Sequence, residues 1–245
     1  MEEETLTVIP LEEVRRFVED CFKAVGTTSE NASTVATNLV EADYRGHYSH
    51  GINRLNLYIQ DIMAKRCDPN AIPSIEKETV ATALVNGNNG LGSVVGKYCM
   101  DLAIAKAKQV GIGMVSAYGS NHYGIAGMYT LQAIEHGCIG ISGTNTSLVT
   151  VPTRSKTASL GTSPLSFGAS AKNGDSFVLD MATSTVALGK DIVNVFYDIV
   201  YLAIDIYVPL KKFSATKCPV WFSRELKDTV IDKKKSHKRY LGAKC

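Results

Sequence analysis

The chain has 245 residues, 45% hydrophobic and 20% charged, enough to bury a real core as one large domain or two small ones. Its formal net charge of +2 averages a basic end, where residues 210–245 hold eleven Lys/Arg against three Asp/Glu, and a mildly acidic remainder holding fifteen against twenty-one. Six cysteines (Cys21, Cys67, Cys99, Cys138, Cys218, Cys245) without a CxxC pair exclude a dense disulfide framework or a zinc site, and the acidic start Met1-Glu2-Glu3-Glu4 is no secretory signal, so reduced thiols in a cytoplasmic protein without a metal are expected.

Pro10 opens a predicted helix with Val14, Phe17, Val18, Cys21, Phe22 and Val25 on one face, closed by Gly26. Thr27 with Glu30 predicts a capping box for a second helix, which buries Ala32, Val35, Ala36 and Leu39. Then comes Asp43-Tyr44-Arg45-Gly46-His47-Tyr48-Ser49-His50-Gly51-Ile52-Asn53-Arg54-Leu55, with two histidines and two arginines. A third helix is expected over 49–65, apolar along Ile52, Leu55, Ile59 and Ile62, until Cys67-Asp68-Pro69-Asn70 breaks it. On such a helix Arg54 stands four residues past His50 and Tyr58 four past Arg54, so they share another face. A guanidinium fork suits a small carboxylate, and an imidazole gives or takes a proton near neutral pH. A helix start whose His caps backbone and whose Arg is merely solvated satisfies the same spacing. Residues 1–70 read as a small helical layer.

The pattern then changes. Residues 78–86 have β character, Gly87-Asn88-Asn89-Gly90-Leu91-Gly92 makes a turn, and a helix follows to about residue 109. Residues 111–118 read as a buried strand, 125–136 as a helix closed by Gly137, and 138–143 as another strand. Alternation of this kind argues a mixed α/β domain over 71–190. The first glycine corner is G-x-x-G-x-G and lacks the acidic residue that a Rossmann fingerprint places roughly twenty positions on, so it reads as a plain turn. Gly119-Ser120-Asn121-His122-Tyr123-Gly124 follows a strand and opens a helix; its N–H groups could hold an anion beside His122, or His122 could cap the strand end. Thr144-Asn145-Thr146-Ser147 and Leu160-Gly161-Thr162-Ser163-Pro164 are polar corners of the kind that carry ligands. Phe177-Val178-Leu179-Asp180-Met181-Ala182 ends an apolar strand in one carboxylate, which needs a partner if buried; a His or a backbone cap would serve.

Taken together these stretches resemble the type 2 malate/L-lactate dehydrogenases, a family that includes ureidoglycolate, sulfolactate and cyclic-imino-acid reductases. The matching residues are Ala42-Asp43-Tyr44-Arg45-Gly46 with Ser49-His50-Gly51 and Arg54-Leu55, the run from Gly119-Ser120-Asn121-His122 to Gly127, Gly140-Ile141-Ser142 with Thr144-Asn145-Thr146-Ser147, the Leu160 corner, and Val178-Leu179-Asp180-Met181-Ala182-Thr183-Ser184-Thr185-Val186-Ala187. The resemblance covers about residues 6–190. It implies a mixed α/β, non-Rossmann NAD(P)-binding fold, a homodimer, and hydride transfer between a nicotinamide of NAD or NADP and C2 of a small 2-oxo or 2-hydroxy acid.

Carried over by position, the family's Ser-His-Asp relay falls on Ser49, His50 and Asp180, and its second active-site histidine on His122. Substrate contacts fall on Arg54 and Thr162, and cofactor contacts on His122, Tyr123, Gly124, Ile125, Ala126, Thr146, Asp180, Met181 and Ala182. His50 ranks ahead of His122 for proton transfer. A Ser-His-Asp hydrolase is not implied, because Ser49 and His50 are neighbours and Ser49 lies on no G-x-S-x-G elbow.

After Lys190 the resemblance ends. The family continues to a Gly-x-Lys-Gly-type cofactor loop, whereas residues 191–245 here are an apolar segment, 192–210, and the basic tail. Asp198 and Asp205 make the apolar segment a poor membrane span, and the tail, with Lys233-Lys234-Lys235 and Lys238-Arg239, reads as a solvated end rather than a nucleic-acid contact. The sequence therefore reads as a C-terminally truncated or alternatively spliced member. Two functions stand open: a working dehydrogenase, or a weak or inactive variant that acts by dimerising with full-length subunits.

Overall fold

Two three-stranded sheets and five α-helices carry residues 9–184, the part described by this computed structural model. The apolar segment and basic tail within residues 191–245 lie outside the described residues.

Helices α1 (Leu11–Ala24) and α2 (Ser29–Tyr44) pair through the predicted stripes, with Val18, Phe22, Ala32, Val35, Ala36 and Leu39 buried. Phe17 lies at the edge of the α1 stripe and is 52% exposed, so it is not part of the core. The cap of α2 is Thr28, whose hydroxyl accepts from the Asn31 N–H at 3.4 Å, and not Thr27. The preceding helix accounts for the difference. Gly26, at φ +88°, and Thr27 return their N–H groups to Lys23 and Phe22, a Schellman closure that takes Thr27 into the end of α1 and moves the cap one residue on.

The third helix is shorter than expected. A 3-10 turn at Ile52–Arg54 precedes α3 (Leu55–Met63), so His50 is not on the helix at all. Asp43 sets this boundary: its carboxylate reaches across nine residues to accept the Ile52 N–H at 2.8 Å. Ile52, Leu55, Tyr58 and Ile62 still close the core, joined by Cys67 and Leu91.

In the first sheet β1 (Ser74–Glu78) runs antiparallel to β2 (Thr82–Gly90), and β2 runs parallel to β3 (Met114–Ser120) through α4 (Gly92–Val110). Strand β2 continues through the predicted turn, with Asn88 and Asn89 in the left-handed region that Asn tolerates, at a break in register. Strand β3 is exposed where a buried strand was expected, Met114 being 65% accessible, because it is the last strand in its sheet. In the second sheet β4 (Gly140–Gly143), β5 (Leu165–Ser170) and β6 (Ser176–Met181) are antiparallel neighbours, with α5 (Gly127–Glu135) against β4 and β5. Strand β5 was not predicted. Its alternation of Leu165, Phe167 and Ala169 with Ser166 and Gly168 was present, but the small buried residues hid the strand signal.

The four described cysteines are free thiols. No helix among the described residues is long and apolar enough to cross a membrane.

Candidate active site

Because His50 precedes the helix, it meets Arg54 by loop closure instead of helical spacing. The Arg54 Nε donates to the Ser49 carbonyl at 2.8 Å, folding the guanidinium back over the turn. Ser49 Oγ and His50 Nδ1 stand 2.7 Å apart. The terminal nitrogens of Arg54 make no hydrogen bond or ion pair among the described residues, so the fork is open to an anion. Gly51 is required for this turn: a Cβ there would run into the Asp43 carboxylate. Gly51→Ala is expected to displace Asp43 from the Ile52 N–H and lower the stability by about 1–3 kcal/mol, read as a lower urea midpoint. An unchanged midpoint would show that the turn does not depend on this close approach.

His122 arrives from the other side of the chain, at the end of β3. Its ring lies 5.2 Å from that of His50, centroid to centroid. Two groups approach its Nδ1: the Tyr58 hydroxyl of α3 at 2.5 Å and the Gly124 N–H at 3.2 Å. Neither Nε2 of this pair is bonded among the described residues. Burial, then the Arg54 charge and His47, pushes His50 down to about 4; burial, then His50 and Arg54, pushes His122 down to about 3. Both imidazoles are therefore neutral at pH 7.

Among the described residues Asp180 makes no hydrogen bond to His50. Its Oδ2 accepts the Gly127 N–H at 2.7 Å, where the amides at the start of α5 attract a carboxylate. A Cβ on Gly127 would sit 2.7 Å from that oxygen, so the approach needs glycine. Burial pushes the Asp180 carboxyl above its usual range, against the pull of the Gly127 N–H and of His47. His47 thus bears electrostatically on both His50 and Asp180, a link the sequence reading missed. The anion expected at this helix start is the chain's own.

The remaining predicted residues fall into two groups. Tyr123 stacks on Tyr129 at 4.8 Å, and its carbonyl accepts from both the Tyr129 hydroxyl and Asn38 Nδ2. Gly124, Ile125 and Ala126 are buried, so this loop offers backbone more than side chains to a ligand. Thr146 and Thr162 face each other at 3.3 Å between their hydroxyls, and Thr183 ties back to the Thr162 carbonyl. Met181 pairs with Leu165 in the β5–β6 ladder and Ala182 follows the strand. Among the described residues no hydrogen bond joins Thr146 or Thr162 to the histidines. Asn38 was also missed; a lone amide on the apolar face of α2 was the available signal. A groove of about 430 Å³ between α2, α4 and α5 lies apart from both histidines.

A mixed α/β chain whose first glycine corner lacks the Rossmann spacing, and whose polar site joins two neutral imidazoles to a guanidinium fork, falls among non-Rossmann α/β proteins. The chain is a member of the malate/L-lactate dehydrogenase family, whose profile matches residues 9–194. It is 44% identical over 188 residues to malate dehydrogenase of Pyrococcus abyssi, which is 77% of this chain and 52% of that one. It is 41% identical over 183 residues to L-sulfolactate dehydrogenase of Methanocaldococcus jannaschii, 75% and 53% of the two chains. The structure of malate dehydrogenase from Pyrococcus horikoshii OT3 superposes with a TM-score of 0.74 at 43% identity, covering 78% of this chain and 54% of that one. The chain spans about half the length of the curated relatives it matches.

Proposed function

We propose that the chain is an NAD(P)-linked oxidoreductase that moves a hydride between a nicotinamide and C2 of a small 2-oxo or 2-hydroxy acid. One observation carries the reading: the open fork of Arg54 stands beside two neutral imidazoles whose Nε2 atoms are unbonded. The fit to a nicotinamide dinucleotide is unequal along its length. His50, His122 and Asn121, whose buried Nδ2 has no hydrogen-bond partner among the described residues, would hold the ring end. The first amides of α4 and α5 are taken by Asn121 Oδ1 and Asp180. When bound, the nicotinamide supplies or accepts the hydride.

The chain's own groups do the rest. Arg54 grips the substrate carboxylate through its fork. The Arg54 charge helps hold both histidines neutral, so a carboxylate on Arg54 offsets it and raises proton affinity where a proton is needed. In reduction His50 gives a proton to the C2 oxygen, and in oxidation it removes one. Asp180 orders the start of α5 and with it the loop from His122 to Ala126. Thr146 and Thr162 line the neighbouring corner for cofactor and substrate.

NADH fluorescence titration with a panel of 2-oxo acids tests the reading; no binding at millimolar cofactor counts against it. Arg54→Lys should raise KM for the acid about tenfold or more, since a charge-assisted hydrogen bond is worth ~1.5–3 kcal/mol. An unaltered KM would remove that contact. The second reading, a chain that works by pairing with full-length subunits, is favoured by one feature: Ile141, Leu165, Phe177, Leu179 and Met181 are exposed on the second sheet. Co-expression with a full-length family member separates the two, because a working dehydrogenase turns over without it. A homodimer in the cytoplasm is the assembly and compartment we propose.

A further inference from the structure

We propose that Tyr58 is a positioning residue that holds His122 as the neutral, Nε2-protonated imidazole, so that His122 donates a hydrogen bond to the substrate's C2 oxygen while His50 exchanges the proton. The role of the Nε2–H rests on the dehydrogenase reading; the tautomer itself does not.

The geometry leaves one arrangement. A backbone N–H can only donate, and the Gly124 N–H points at His122 Nδ1. That nitrogen therefore presents its lone pair, and the ring proton of neutral His122 sits on Nε2. Tyr58 must then donate as well, since an oxygen lone pair aimed at the Nδ1 lone pair would be repelled at 2.5 Å. The Tyr58 side chain is 2% exposed and packs within the α1–α2–α3 core, where a phenylalanine would bury the same ring. A buried hydroxyl is costly without a partner, and His122 is its hydrogen-bond partner. The groups facing His122 are Tyr58 from α3, and His50 and Arg54 from the turn before it; Asp61 bears on Tyr58 from the same helix. Protonating Nδ1 would turn an acceptor into a donor facing two donors, so this contact opposes the cation. Two histidines side by side are thus set to different tasks: one fixed as a donor, the other free to change its charge.

Long-range proton–nitrogen NMR of ¹⁵N-labelled protein reads the tautomer with or without turnover. The expected spectrum of the native chain has His122 protonated at Nε2 and bare at Nδ1; a proton on Nδ1 overturns the proposal and needs no variant. Tyr58→Phe should let His122 titrate at higher pH, and in active protein should lower kcat about tenfold while KM for the 2-oxo acid stays within about twofold. A variant with the native His122 titration overturns the proposal. Absence of cofactor binding would defeat the dehydrogenase reading and leave both NMR results standing.

Discussion

His50→Ala is expected to lower kcat by about 10²–10⁴-fold, the usual worth of a positioned proton-transfer group, while NADH binding remains measurable. The expectation follows from how differently the two imidazoles are tied. His122 has Nδ1 engaged by Tyr58 and Gly124, which commits it to one neutral form. His50 has Nδ1 against a serine hydroxyl, which can donate or accept, so its ring can carry the proton on either nitrogen or on both. Ser49 is well suited to follow that change without moving. Stopped-flow reduction of a 2-oxo acid measures the step, and turnover equal to native would pass the role to His122. Ser49→Ala should cost less, because it removes an orienting partner and leaves the base.

Acid should destabilise the fold well before its carboxylates are protonated. An exposed histidine takes up a proton near pH 6.5, whereas burial and positive neighbours hold His50 near 4 and His122 near 3. Between those values the unfolded chain binds more protons than the folded one, so stability is complete above about pH 6.5 and falls as pH drops toward 4. At ~1.4 kcal/mol per pH unit for each proton taken up only on unfolding, the pair together removes on the order of a few kcal/mol by pH 4.5, a large fraction of a typical domain's stability. Asp180 works the other way, since its raised pKa favours the folded state on the acid side, and it offsets part of the loss. Urea midpoints measured from pH 7.5 to 4.5 should show the fall, and the double variant His50→Gln/His122→Gln should flatten it. Equal slopes in native and variant would place these imidazoles in solvent.

Local patterns proved readable where a helix or strand depends on its own residues. The stripes of α1 and α2 and the closure at Gly26 follow from periodicity and backbone freedom within a few positions. Errors began where one element borrowed from another. Thr27 had a cap's side chain but was claimed by the end of α1, and the helix expected at Ser49 was delayed by a carboxylate from Asp43.

Residue types singled out His50, Arg54, His122 and Asp180 as candidates, and the family resemblance added Ser49 and the proposed relay. Which of them touch was beyond any local pattern. Tyr58 meets His122 across 64 residues and Gly127 meets Asp180 across 53, and in both cases the pairing depends on which donor is buried beside which acceptor once the core has closed. A buried polar group takes the best partner within reach, and reach is a property of the packed chain, not of spacing along it.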